Sequence, residues 1–221
     1  LPYIVPFYAD PFFAELDRVM MGGTDPWELV YAFAEYLPMQ VILPVYLKGW
    51  ALPAIFLPVF LAALDGDRAR VNRFLILYVV AWVVLGNILA LVGMSAGPVY
   101  YDRLIEGAQF GELTAALQQS GVKSAQLGQI QENLWTIYAE QGQAIGSGIS
   151  AFPSVHVAIA TVFGLYLAER ARLLAPLGLL FVVIILFLSV YTGYHYAIDG
   201  YASIAVIVGL WWLLRRRAVR A

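Results

Sequence analysis

Apolar residues in this chain gather into long runs, and polar or charged residues separate these runs at intervals. A run of about 20 mostly apolar residues is long enough to cross a bilayer as a helix. Six runs approach that length, and we predict one membrane-spanning helix in each. The predicted spans are residues 27–47, 49–64, 74–94, 153–168, 173–191 and 201–214.

Residues 7–21 have a different pattern, in which aromatic side chains alternate with acidic and basic ones. This mixture predicts a helix that lies in the membrane interface. The residues after it give a helix start signal, with Asp25 as N-cap, Pro26 at the first helical position and Glu28 completing a capping box.

Residues 102–145 carry Leu, Ile and Trp at helical spacing among polar residues. That periodicity predicts one or two short amphipathic helices, which would form a cap over one face of the bundle. The predicted fold class is therefore all-α. An interfacial segment, residues 1–26, precedes a six-span membrane domain, residues 27–221, that includes the cap.

The composition agrees with a membrane protein, because 62% of the residues are hydrophobic and only 13% are charged. Soluble domains have about 45–50% apolar and about 25% charged residues. The chain has no cysteine, which excludes disulfides and thiolate metal sites.

The basic residues predict the orientation of the spans. With six spans, three arginine clusters fall on one side, which the positive-inside rule assigns to the cytoplasm. The clusters are Arg68, Arg70 and Arg73, then Arg170 and Arg172, then Arg215, Arg216, Arg217 and Arg220. The segment 95–152 and both histidines of the chain are then expected on the extracytoplasmic side.

The two histidines are the main candidates for chemistry. His195 and Asp199 are four residues apart, which on a helix would bring the carboxylate beside the imidazole and fix its tautomer. His156 stands near the start of a span at the same predicted face, and ionisable groups at membrane depth are functional hypotheses by default. Two alternatives stay open: a packing role, or a zinc or iron site that lacks an obvious third strong ligand.

A glycine- and serine-rich stretch precedes His156. Free backbone N–H groups and the positive end of a helix that Pro153 can open would favour a phosphate there, with the Ser154 hydroxyl nearby. The alternative is a flexible glycine linker. The residues of this predicted anion site are Gly146, Ser147, Gly148, Ser150 and Ser154.

The motifs "FPSVH" (152–156) and "YTGYHYAID" (191–199) resemble the second and third signature motifs of the type 2 phosphatidic-acid phosphatase superfamily. Within it they look most like the branch of inositol phosphorylceramide synthases and related inositolphosphotransferases. The resemblance covers roughly residues 74–214, and "SAGPVYYDR" (95–103) is similar to a segment of that branch.

The resemblance implies a role for each motif residue. His195 matches the nucleophile that takes up the phosphoryl group as a phosphohistidine, and Asp199 matches its orienting carboxylate. His156 matches the general acid that protonates the leaving oxygen and then acts as base toward the acceptor. The mechanism implied by the family needs no metal and no other cofactor.

The chain departs from the phosphatase branch in its cations. Residues 188–189 are Leu-Ser where that branch has Ser-Arg, and its first, lysine-containing motif is absent. Phosphoryl transfer needs compensation of the charge on the phosphate oxygens. We predict Arg103 and then Lys48 for this role, although Arg103 could instead pair with Asp102, Glu106 or a lipid headgroup.

Several tyrosines lie in the motif segments, where interfacial aromatic residues are common in any membrane protein. Tyr101 and Tyr196 are predicted to contact substrate. The expected function is a lipid phosphotransferase with a phospholipid donor and a lipid or alcohol acceptor, such as a ceramide-like one, and with no nucleic-acid partner. Alternatives are a lipid phosphate or prenyl-diphosphate phosphatase, and a non-enzymatic lipid-binding or transport protein.

Overall fold

The structure, a computed structural model, describes residues 1–105, 107–142 and 148–220. Every regular element in these ranges is helical, which confirms the predicted all-α class. The helices are α1 (Asp10–Met20), α2 (Pro26–Ala34), α3 (Met39–Leu64), α4 (Arg68–Val92), α5 (Pro98–Leu104), α6 (Gly111–Gln119), α7 (Gln126–Ala139), α8 (Val155–Arg170), α9 (Ala175–Tyr191) and α10 (Ala197–Arg220).

Four helical stretches in the described part of the chain are long and apolar enough to cross a membrane. They are Met39–Leu64, Arg68–Val92, Arg172–Tyr191 and Ala197–Arg216. Helix α8 is shorter, with 16 residues that extend about 24 Å. The predicted number of six spans is therefore not confirmed.

The first two predicted spans, 27–47 and 49–64, need correction. Helix α2 has only nine residues, and the chain then turns before α3 starts at Met39. Pro38 explains the break, since the residue before a proline is pushed out of the helical region. No break occurs at the predicted boundary near residue 48, because α3 continues there through a π-helical segment, Val45–Gly49.

Helix α8 lies in the middle of the bundle, and its residues from Val157 to Val162 are buried. It packs closely on α9 where Gly164 faces Gly178. A Cβ atom on Gly164 would lie 2.9 Å from the carbonyl oxygen of Gly178, so only a glycine pair permits this approach. Small residues at helix contacts are typical of membrane bundles.

The bundle has two distinct ends. At the basic end, Arg73 pairs with Glu169 and the Trp211 side chain donates to the same carboxylate, which brings α4, α8 and α10 together. At the histidine end, the N–H of Ser154 donates to the carbonyl of Asp199, which joins the start of α8 to the start of α10.

The N-terminal helices and the cap lie at the histidine end. Helix α1 falls within the predicted helix 7–21, whose interfacial position stays a prediction. The start signal of α2 is confirmed, because Asp25 is the N-cap, Pro26 is the first residue and the N–H of Asp25 donates to Glu28 at 3.4 Å. Helices α6 and α7 form where the cap pattern predicts one or two short helices, while residues 143–145 lie outside the described residues.

Candidate active site

His195 lies in the short turn between α9 and α10, not on a helix. Gly193 permits this turn, because its φ of 72° is one that residues with a side chain rarely adopt. The N–H of His195 donates to the carbonyl of Ser189 at 3.2 Å, which folds the turn back onto the end of α9. The predicted pairing with Asp199 therefore does not arise from two positions on one helix face.

The hydrogen bonds of His195 fix its tautomer. Nδ1 lies 2.8 Å from the carbonyl oxygen of Ala151 and 3.3 Å from Oδ2 of Asp199. Both neighbours are acceptors, so Nδ1 must carry the proton. In the neutral ring, Nε2 then holds the free electron pair, as a nucleophilic nitrogen requires.

Asp199 is the third residue of α10 and is fully buried. Its Oδ2 atom also accepts from the backbone N–H of Tyr196 at 3.0 Å, the bond that the third residue of a capping box makes. The carboxylate thus serves the helix start and the histidine together. The i+4 spacing in the sequence reflects this capping geometry.

His156 is the second residue of α8. Ser154 is the N-cap of this helix, and its hydroxyl accepts from the N–H of Val157 at 3.4 Å. The expectation that Pro153 opens the helix in its first turn is corrected, because Pro153 precedes the N-cap. A serine at the N-cap satisfies a backbone N–H that would otherwise lack a partner.

Two aromatic residues of α3 hold the His156 ring between them. The Tyr46 ring stacks at a centroid distance of 4.7 Å and the Trp50 ring at 4.1 Å. The indole N–H of Trp50 also donates to the carbonyl oxygen of His156 at 3.0 Å. Both residues lie at the π-helical segment of α3, and such segments occur frequently at functional sites.

The two imidazole rings face one cavity. Their centroids are 5.9 Å apart, and the cavity has a volume of about 540 Å³. Tyr46, Trp50 and Tyr100 form part of its wall, together with Trp82 and Asn87 from the π-helical segment of α4. The wall is mainly apolar, with a few polar groups beside the histidines, as in many sites for small molecules and cofactors.

The structure places the predicted phosphate ligands differently. Gly148 and Ser150 border the cavity, whereas Gly146 and Ser147 lie outside the described residues. Ser154 is fully buried, and its hydroxyl is occupied as the cap of α8. The phosphate-binding roles of these residues stay predictions.

Neither predicted cation borders the cavity. Arg103 forms a two-point ion pair with Glu132, with one contact of 3.0 Å, and its guanidinium lies 5.1 Å from the Trp135 ring centre. This pairing holds the pKa of Glu132 below its usual value. Lys48 borders a separate cavity of about 450 Å³ between α3 and the turn from α6 to α7.

The predicted substrate tyrosines are also outside the cavity. Tyr101 is buried against the Phe110 ring, and Tyr196 donates its hydroxyl hydrogen to Asp10 at 2.9 Å. Tyr100 and Tyr194, from the same two segments 95–103 and 191–199, border the cavity instead. Adjacent positions in a helix or turn point in different directions, so sequence position alone does not select the tyrosine at the site.

Sequence reasoning missed the most direct neighbours of the histidines. The Ala151 carbonyl leaves no trace in side-chain patterns, and the α3 aromatics are separated from His156 by about a hundred residues. Asp10 and Asp17 could have been found from the sequence, because both are acidic residues on the apolar face of the predicted helix α1. No group of three residues suited to metal binding occurs within the described ranges.

The bundle of membrane-length helices holds two histidines at one cavity, with the buried Asp199 carboxylate beside His195. The family model described as PAP2 superfamily matches residues 13–213, and the chain belongs to the type 2 phosphatidic acid phosphatase superfamily. It is thus an integral membrane protein of the lipid phosphatase or phosphotransferase type. No curated protein and no solved structure matches the chain.

Proposed function

We propose that the protein is a lipid phosphotransferase that moves a phosphoryl or phospho-headgroup unit from a phospholipid to a lipid or alcohol acceptor. The observation that carries the proposal is the shared cavity of His195 and His156, in which His195 has its Nδ1 proton held by two acceptors. The active site opens to the extracytoplasmic side, opposite the arginine clusters.

In the first half of the reaction, Nε2 of His195 attacks the phosphorus atom of the donor. An N–P bond forms, the P–O bond to the diacylglycerol part breaks, and His156 gives its proton to the leaving oxygen. Asp199 and the Ala151 carbonyl hold Nδ1–H and stabilise the positive charge that develops on the ring.

In the second half, His156 takes a proton from the acceptor hydroxyl. The acceptor oxygen attacks phosphorus, the N–P bond breaks, and His195 regains its free electron pair. The Tyr46 and Trp50 rings hold the His156 imidazole in place for this exchange of protons, because both stack on it.

The charge of the cavity supports a phosphodiester donor. None of the described residues that border it is arginine or lysine. A phosphomonoester carries a charge of about −1.5 to −2 at neutral pH, whereas a phosphodiester carries a single charge. A site with neutral donors and two histidines suits the diester better, and transfer from a diester moves the whole phospho-headgroup, as in the inositolphosphotransferase-like branch.

Hydrolysis is the second candidate, because family membership supports the phosphatase type equally. The two reactions share the phosphohistidine and differ only in the acceptor that resolves it. The cap helices α6 and α7 lie at the histidine end and would restrict water there. Shortening the cap should raise hydrolysis relative to transfer, and an unchanged ratio would contradict this role for the cap.

The test is a mass-spectrometric assay of the purified protein in lipid nanodiscs. Candidate phospholipid donors are supplied with ceramide or other alcohol acceptors, with and without magnesium and a chelator. We expect metal-independent formation of a new phospholipid, together with diacylglycerol. We also expect a phospho-adduct on His195, mapped at neutral to alkaline pH because the N–P bond is labile in acid.

Three variants complete this test. His195→Ala and His156→Ala should each lose turnover, while Gln118→Ala, an exposed change on α6, should keep it. Release of inorganic phosphate as the main product would favour the phosphatase. Lipid binding that persists in both histidine variants, with no turnover in the unchanged protein, would favour a binding or transport protein. Strict metal dependence would contradict the mechanism.

A further inference from the structure

Helix α1 contacts both histidine motifs and the segment 95–97 that lies beside them. Asp10, Phe13 and Asp17 form its buried face, each with at most 6% of its surface exposed. The Phe13 ring stacks on Phe152, the residue that opens the first histidine motif, at a centroid distance of 4.4 Å. The Asp10 carboxylate contacts residues 96–97, and the Asp17 carboxylate contacts the start of α10.

Asp17 caps helix α10 from another part of the chain. The N–H groups of Ala197 and Ile198, the first two residues of α10, donate to the Asp17 carboxylate at 2.6 and 2.8 Å. The residue before them is Tyr196, whose hydroxyl donates to Asp10, and the Asp17 carboxylate is the side-chain acceptor of these two N–H groups. Asp17 thus satisfies N–H groups that a helix start leaves without partners.

Asp10 fixes the segment that runs beside both histidine motifs. Its carboxylate accepts from the N–H of Ala96 at 2.8 Å, from the N–H of Gly97 at 2.9 Å and from the Tyr196 hydroxyl. Gly97 packs so closely on the histidine turn that a Cβ atom would lie 2.3 Å from the Tyr194 carbonyl oxygen.

The same segment supports the carbonyl that holds His195. Ser95 accepts from the N–H of Ala151 at 2.8 Å, and the Ala151 carbonyl is the nearer acceptor of Nδ1. A displacement of residues 95–97 would therefore reach His195 through Ala151.

Neither carboxyl group contacts an arginine or lysine side chain within the described residues, so backbone N–H and hydroxyl groups are the hydrogen-bond partners of both. Burial raises the pKa of both groups, and that of Asp17 rises to about 6, so Asp17 is still ionised at neutral pH. An asparagine here would turn one acceptor oxygen into an NH₂ group that faces an N–H donor.

We propose that Asp17, together with Asp10, is a positioning residue of the active site: α1 clamps the start of α10 and thereby places Asp199 against His195. The proposal rests on the proposed function, since it assigns a catalytic consequence to the clamp. Asp199 is two residues after Ala197, so a shift of the first turn of α10 moves its Oδ2 atom away from Nδ1. A misplacement of about 1 Å can cost about 10²-fold in rate.

The test compares Asp17→Asn and Asp17→Ala with Glu15→Ala, an exposed acidic position on the same helix. Rates are expressed per active site, counted from the burst of phosphohistidine. We expect kcat to fall about 10- to 100-fold in Asp17→Ala and less in Asp17→Asn, with KM for the donor changed less than about threefold. The acid limb of the pH–rate profile should also shift in both Asp17 variants and stay in place in Glu15→Ala. Equal kcat per active site and an unchanged pH profile in all three variants would overturn the proposal.

A second measurement does not depend on the activity. Hydrogen–deuterium exchange should become faster in peptides that cover residues 193–200 and stay unchanged at residues 65–73, at the basic end. Unchanged exchange at 193–200 in Asp17→Ala would overturn the clamp. If Asp17→Ala exchanges faster in all peptides, the comparison is made with Asp17→Asn instead. That variant must then exchange faster at residues 193–200 and not at residues 65–73. If the protein without any substitution transfers no phosphate, the proposed function is contradicted. Faster exchange limited to residues 193–200 in the Asp17 variants would still support the clamp itself.

Discussion

Buried carboxylates at the two ends of the bundle are held by different partners. At the basic end, Asp65 receives a bidentate contact from Arg70 with both distances at 2.6 Å, and Glu169 pairs with Arg73. At the histidine end, Asp10 and Asp17 are held by backbone N–H groups and a hydroxyl, without any cation among the described residues.

Because backbone groups hold its carboxylates, the histidine end needs no arginine or lysine beside the cavity to stabilise them. An arginine beside Asp199 would pair with the carboxylate that His195 uses. Backbone N–H groups stabilise a buried carboxylate without offering a mobile charged side chain, and their positions are fixed by the fold. The basic end has no such constraint and uses ion pairs, which join the helices α4, α8 and α10.

The largest effect should come from replacing the nucleophile. His195→Asn removes Nε2, and turnover should fall by about 10³-fold or more, because no other described side chain at the cavity matches its arrangement. The protein should still fold, since an amide can keep a hydrogen bond to the Ala151 carbonyl. Turnover and thermal unfolding measured on the same sample check this. Retained turnover with no adduct at His195 would contradict its assigned role.

At the basic end, Arg70→Gln should lower the stability of the protein and leave its activity unchanged. The Asp65 side chain is only 1% exposed, and loss of its partner should cost about 3 kcal/mol of unfolding free energy. Turnover per folded molecule should remain unchanged. A fall in kcat without a loss of stability would show that the two ends are not independent.

Trp50→Ala should have a smaller effect, located at His156. An aromatic contact contributes about 0.5–1.5 kcal/mol, so we expect kcat to fall about three- to tenfold. Trp50→Phe keeps a ring over the imidazole but loses the N–H donor to the His156 carbonyl. Its kcat should therefore lie between that of Trp50→Ala and that of the protein with Trp50. If both variants fall equally, the hydrogen bond and not the stacking is the important contact.

The smallest effect concerns the pH dependence of Asp17. Its pKa is about 6 in the folded protein against 3.8 for the free group, so the folded state binds this proton more tightly. The resulting stability is fully present below about pH 4 and is lost as the pH rises through 6. Between pH 5 and pH 7, the unfolding free energy of the unchanged protein should therefore fall relative to that of Asp17→Asn, by about 1 kcal/mol. An unchanged or rising difference in chemical denaturation would contradict this sign.

Local patterns in the sequence predicted the helical class, the start of α2 and short helices in the cap, because hydrophobic period and capping residues act over a few positions. The same patterns failed inside α3. The predicted spans 27–47 and 49–64 meet at residue 48, yet α3 continues there as one helix through a π-helical segment, where Tyr46 and Trp50 pack on His156.

The sequence by itself determined which residues can do chemistry: two histidines, one carboxylate four positions after the second, and a family resemblance in both motifs. Only the tertiary structure decided what surrounds them. It brought the Ala151 carbonyl to Nδ1, the α3 aromatics to His156 and the α1 carboxylates to the start of α10, and it left Arg103 and Lys48 outside the cavity. The physical reason is distance along the chain: these contacts join residues about 40 to 180 positions apart, so no local pattern encodes them.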